Sequence, residues 1–208
     1  MNMTTAKCPY PAKAGAPVWE LARVFPGQGC WTEEEYLALD RAENMLIELT
    51  DGYVEVLPMP TREHQRIVIC LLRALLAFVE PRKLGEALCA PLPLKLRKQM
   101  WREPDILFLL AERITEGEYP DHADLVVEVV SKGTTARDRD YQRKREDYAA
   151  CGVSEYWIVD PQAEQITVLT LKAGRYAEHG VFKKSQRATS VLLKGFGMDV
   201  TAVFEAAK

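Results

Sequence analysis

Residues 124–161, DLVVEVVSKGTTARDRDYQRKREDYAACGVSEYWIVDP, decide how the rest of the chain is read. Leu125 to Val130 is apolar except for one acid, Glu128. A strand apolar on both faces is a buried strand. Alternation puts Val126, Glu128 and Val130 on one face and Leu125, Val127 and Val129 on the other. A carboxylate there is costly unless it is paired, bound to a metal or protonated. A polar loop follows, then a helix over Arg137–Cys151, then a strand over Glu155–Asp160 that Pro161 ends. The unit reads strand, crossover helix, strand.

The helix repeats the anomaly with the opposite sign. It is mostly charged, and its apolar stripe is Tyr141, Tyr148 and Cys151. Lys144 falls on that stripe, at i+3 from Tyr141 and i−4 from Tyr148. The plain alternative is a structural ion pair, or a lysine that snorkels to water. The sharper one is a site. Upstream, Glu103-Pro104-Asp105 opens a further apolar strand, Ile106–Leu110. Proline suits a strand's start because it lacks the N–H that a ladder needs. Two adjacent strands, one opened by Asp105 and one carrying Glu128, bring both carboxylates to one point. Paired oxygen ligands beside a lysine suit a hard divalent ion and a phosphate.

Pro104-Asp105, Glu128 in DLVVEVVS, Asp140 with Lys144 and Tyr148, GVSEYW over 152–157 and Asp160-Pro161 together resemble the Uma-type family of restriction endonucleases, in the PD-(D/E)XK nuclease superfamily. Ile47-Glu48-Leu49, Asp51-Gly52 and His64 at a helix start join the resemblance, which spans roughly Thr32 to Leu171. In the general (D/E)XK pattern the lysine lies two residues after the acid, and here that position is Val130. The resemblance implies that the lysine has moved to the helix as Lys144, the residue that the helical stripe singles out independently. It also implies that Glu48 belongs to the acidic site.

The fold class expected is α/β, a restriction-endonuclease-like core with a central mixed sheet flanked by helices and an antiparallel C-terminal hairpin. Residues 1–30 are rich in Pro, Gly and Ala and read as an arm, flexible or docked through Trp19, Leu21, Val24 and Phe25 onto the body or a second subunit of a homodimer. Residues 31–208 read as one domain. Thr32 and Glu35 form a capping box for a short helix to about Asp40. Asp51-Gly52 turns a hairpin between Glu43–Thr50 and Tyr53–Leu57. The longest helix runs from Thr61 to about Val79, with Ile67, Leu71 and Leu75 on its apolar face and Glu63 and His64 in its first turn. Two proline-broken extended runs fill 87–96. Gln165–Leu171 and Tyr176–Val181 form a hairpin around Gly174, Val191–Leu193 is a further strand, and Phe196–Phe204 closes the chain.

Hydrophobic residues make up 48% and charged residues 27% of the 208, which is ordinary for a globular protein. A net charge of −3 does not advertise nucleic-acid binding. The local exception is the loop and helix start where Lys132, Arg137, Arg139, Arg143, Lys144 and Arg145 crowd against Asp138 and Asp140, a phosphate footprint. The plain reading there is a solvated loop with Asp138 or Asp140 as helix cap. Five cysteines without a CxxC pair predict reduced thiols and no zinc site. No apolar run spans a bilayer and no apolar leader opens the chain, so a cytoplasmic protein without membrane partners is expected. No Gly-x-Ser-x-Gly elbow, Walker loop or dinucleotide fingerprint is present, which argues against an organic cofactor. The three histidines are far apart in sequence.

The chemistry that fits is Mg²⁺- or Mn²⁺-dependent hydrolysis of DNA. Asp105 and Glu128 bind the ion with a main-chain carbonyl near Val129, Glu48 completes the acidic shell, and Lys144 acts on water or phosphorane charge. Lys132, Arg137, Arg139 and Arg143 meet the DNA backbone. The rivals are a catalytically inactive nucleic-acid-binding or protein-interaction module on the same fold, and an enzyme acting on RNA or single strands.

Overall fold

The structure is a computed structural model that describes residues 26–43 and 46–208. Most of the arm read over 1–30, including its four docking residues, lies outside the described residues. Along the chain run α1 (Glu33–Glu43), β1 (Ile47–Thr50), β2 (Tyr53–Val56), α2 (Arg62–Val79), β3 (Gly85–Cys89), β4 (Leu94–Arg97), β5 (Met100–Arg102), β6 (Ile106–Leu110), β7 (Leu125–Val129), α3 (Thr134–Asp138), a π-helical turn (Arg139–Arg143), α4 (Lys144–Ala150), β8 (Glu155–Asp160), β9 (Gln165–Lys172), β10 (Arg175–Lys183), β11 (Arg187–Thr189), β12 (Gly197–Asp199) and α5 (Val200–Glu205). The chain divides into two compact units, residues 1–57 with 98–100 and residues 58–97 with 101–208.

In the first unit the capping box forms as read. Glu35 Oε2 accepts from the Thr32 main-chain N at 2.9 Å and from its hydroxyl at 2.8 Å, while Thr32 Oγ1 accepts from Glu35 N at 3.2 Å. The hairpin turns on Asp51 (φ 47°) and Gly52 (φ 83°), the two positive φ values that a tight two-residue turn requires. A Cβ at Gly52 would stand 2.7 Å from Gly29 O, so the position admits only glycine. Glu48 is buried on β1, opposite Glu55 on β2.

The second unit is built on a six-stranded sheet in the order β10-β9-β8-β7-β6-β3. Every neighbouring pair is antiparallel except β7 and β8, which are parallel. That one parallel pair requires the helical crossover between them. The sheet is therefore mixed, with the expected C-terminal hairpin in β9 and β10. Alternate residues feed two cores. Phe108, Val127, Val129 and Trp157 pack with the apolar face of α2 and with Val203 and Phe204 of α5. Leu107, Val126, Ile158 and Leu169 pack with Tyr148, Tyr156 and Tyr176 on the other side. Burial on both faces accounts for the near-continuous apolar runs of β6, β7 and β8.

Two elements depart from the sequence reading. The helix expected from Arg137 begins at Thr134 and passes through the π-helical turn, so Asp138 and Asp140 lie within it and do not cap it. Val191–Leu193 is not a strand. Its backbone N–H groups at Val191 and Leu192 donate instead to Glu155 Oε2, at 2.7 and 2.9 Å. The pairing strand lies just before it, as β11 against β12.

Candidate active site

Asp105 and Glu128 reach one level through strand register. Ile106 pairs with Val127, so one residue further along the antiparallel ladder Asp105 stands beside Glu128. Asp105 Oδ2 accepts from the Val129 main-chain N at 2.7 Å and lies 3.3 Å from His64 Nε2. The histidine reaches it from the first turn of α2. Thr61 caps that helix and accepts from His64 N at 3.2 Å. Burial opposes charge on His64, but the hydrogen bond and charge of Asp105, the charge of Glu128 and a main-chain contact with Val129 outweigh it, and its pKa is raised above the ordinary 6.5.

Glu128 meets the helix. Lys144 Nζ donates to Glu128 Oε1 at 2.7 Å, and the Tyr148 hydroxyl donates to the same oxygen at 2.6 Å. Both charges are buried, Lys144 at 1% and Glu128 at 4% exposure. An ion pair this dry persists only with good geometry and added hydrogen bonds, and Tyr148 supplies one. The Tyr148 ring meets that of Tyr156 edge-on at 5.1 Å. The Tyr156 hydroxyl donates to the main-chain oxygen of Asp140 at 2.9 Å. Burial first, then the nearby charges of Glu128 and Asp140, push the Tyr156 phenol well above its ordinary range.

The π-helical turn sits at the entry to this helix. Asp140, Lys144 and Tyr148 are all buried, at a constant spacing of four, while Tyr141 and Cys151 of the expected stripe are half-buried. Tyr141 turns toward the end of β8, where its hydroxyl donates to Asp160 Oδ2 at 3.2 Å. π-Helical turns recur at functional sites, because the added residue re-aims the side chains around it.

The cations proposed for DNA have partners within the chain. Lys132 Nζ lies 3.3 Å from Glu63 Oε2, both exposed. Arg137 pairs with buried Asp160 and stacks 4.7 Å above the Tyr141 ring. Arg139 Nε lies 3.2 Å from Asp140 Oδ1. Arg143 closes the π-helical turn. Glu48 belongs to the first unit. Among the described residues no group of three or more His, Cys, Asp and Glu side chains is arranged to hold a metal ion. No disulfide joins the four described cysteines, Cys30, Cys70, Cys89 and Cys151, and no described helix is long and apolar enough to cross a membrane.

A profile of the family described as "Uma2: Putative restriction endonuclease" matches residues 33–201. The chain belongs to that family. A crystal structure of a putative nuclease belonging to DUF820 from Anabaena variabilis ATCC 29413 is similar in fold, with a TM-score of 0.71 at 18% identity. The match covers 86% of this chain and 99% of that one. No protein of curated function matches the chain.

His64 carried little weight in the sequence, where a lone histidine reads as a packing or capping residue. The signals were its place in the first turn of a helix and its part in the family resemblance. The buried acid Asp160 was visible only as part of a motif. Its role is structural, since it also accepts from the main-chain N of Gln162 and Ala163, both at 3.0 Å.

Proposed function

We propose that the chain is a divalent-metal-dependent endonuclease that hydrolyses DNA phosphodiester bonds. One observation carries the reading. Two carboxylates from neighbouring strands stand level, and one of them is held by a buried lysine on the crossover helix. Family membership supports it.

The donor set fits a hard cation. Asp105, Glu128 and the main-chain carbonyl of Val129 offer oxygen ligands of the type that Mg²⁺ or Mn²⁺ takes. Mg²⁺ keeps several waters and binds through one or two carboxylates plus substrate phosphates, so a pair of acids without a third is a sufficient protein contribution. The bound ion lowers the pKa of a water and shields phosphate charge.

The chain's own residues do the rest. His64 and the Val129 N–H hold Asp105 through Oδ2, so Oδ1 would be the oxygen left to hold the cation. Lys144 and Tyr148 fix Glu128 through Oε1. The Lys144 ammonium offsets repulsion between the carboxylates and supplies positive charge where the phosphate becomes more negative. Glu48 is proposed as a further acid on the family resemblance alone. Lys132, Arg137, Arg139 and Arg143 are proposed to follow the DNA backbone, exchanging internal carboxylates for phosphates.

Nicking of supercoiled plasmid with Mg²⁺ or Mn²⁺ tests the proposal. Wild type is expected to nick, and Asp105→Asn, Glu128→Gln and Lys144→Met each to fall by about a hundredfold or more. No nicking by wild type with either ion favours the inactive binding module on the same fold. Undiminished nicking by Glu128→Gln rejects the assigned site.

A further inference from the structure

Beside the His64–Asp105 contact lies a cavity of about 170 Å³. Its walls are Pro58, Met59, Val130 and Pro161, with the His64 ring among them, and Ser131 and Gln162 border it. Val130–Lys132 follow β7 and Pro161–Gln162 follow β8. The cavity therefore opens at the carboxyl ends of the only parallel strand pair in the six-stranded sheet, where ligands of α/β sheets bind.

We infer that this cavity is a slot for one unstacked nucleobase of the strand being cut. The inference rests on the nuclease reading above and adds to it how the substrate is gripped. Size selects the occupant. The volume is below the roughly 300–1,000 Å³ that encloses a drug-sized ligand, yet several times the roughly 30 Å³ share of a water. One flat ring system fills it. Charge keeps the phosphate at the mouth, where Lys132 lies exposed beside the Glu63 carboxylate and can meet the strand's backbone, while the walls behind it are apolar. Apolar walls, with His64 also in the lining, suit the two faces of a base. Ser131 and Gln162 offer donors and acceptors to its edges. Met59, 78% exposed at the lip, is an apolar side chain that a seated base covers. A base reaches such a slot only by leaving its stack, so the site favours single strands and unpaired positions over perfect duplex.

The test uses the full chain in EDTA, with fluorescence anisotropy of a fluorescein-labelled hexathymidylate and of the same backbone with abasic tetrahydrofuran residues throughout. Wild type is expected to bind the base-bearing strand about tenfold more tightly. Ser131→Trp, which fills the slot, and Met59→Ala, which shortens its lip, are expected to reduce that ratio, to near one for Ser131→Trp. Met59 is exposed, so its variant keeps the test alive if Ser131→Trp fails to fold. Equal binding of both strands by wild type, binding of neither, or an unchanged ratio in both variants overturns the slot. Discrimination without any nicking in the plasmid assay leaves the slot standing and removes only the nuclease reading.

Discussion

Replacing Lys144 with methionine keeps the volume and the helix propensity but removes the cation from Glu128. The pair is buried and 2.7 Å apart, so the carboxylate is left in a dry site. Breaking a buried ion pair from one side costs about 3–5 kcal/mol. Tyr148 still donates to the same oxygen at 2.6 Å, a charge-assisted bond that holds the loss near the lower end, about 3 kcal/mol. For a chain of this size that is about 6–12 °C in Tm. Glu128→Gln in the same background removes the stranded charge, and its amide oxygen still accepts from Tyr148. The double variant is therefore expected to regain about 2 kcal/mol of the loss. Urea unfolding of wild type, both singles and the double closes the cycle. A loss below about 1 kcal/mol for Lys144→Met, or strict additivity in the double, refutes the argument that the two charges hold each other in the dry interior.

Further expectations follow from single residues. His64 has a raised folded-state pKa, so its contribution to stability is full below its unfolded value of about 6.5 and is lost as pH rises through the raised value. In metal-free buffer, the Tm advantage of wild type over His64→Gln is expected to shrink from pH 6 to pH 8.5, and an advantage that grows contradicts the Asp105 pairing. Glu155 is fully buried and accepts from Trp157 Nε1 at 2.7 Å and from the Val191 and Leu192 N–H groups, so Glu155→Ala strands three donors. A loss of about 3 kcal/mol in urea is expected, and a neutral result rejects that account. At Gly85 an added Cβ would stand 1.9 Å from Leu109 O, at a φ of +153°. Gly85→Ala is expected to lose more than about 2 kcal/mol or to unpair β3 from β6, seen as faster amide exchange at Gly85 to Cys89.

Local chemistry was legible where it was complete within a few residues. Thr32 with Glu35, Asp51-Gly52, and the apolar face from Ile67 to Val79 each specify their structure without help from distant chain. The lone acid in β7 and the lone lysine on its helix were readable as a pair because burying either alone is prohibitive, and they do meet. Two kinds of feature were hidden. The π-helical turn over 139–143 leaves the helical period almost unchanged in sequence, so the stripe appeared to pass through Tyr141 when the buried residue is Asp140. The role of His64 depended on the register that sets Asp105 at the end of β6, and register is a long-range property that one strand does not encode. Glu155 shows the limit of reading acids as sites, since its two oxygens serve only N–H groups of the surrounding fold.

The most direct test of the central claim is calorimetric titration of Mg²⁺ and of Mn²⁺ into wild type and Glu128→Gln. The account predicts binding to wild type that is lost or weakened at least about tenfold in the variant, because one of two anionic ligands is gone. Equal binding by both proteins, or none by either, contradicts a metal centre at Asp105 and Glu128 and leaves the Glu128–Lys144 pair as a structural element of the fold.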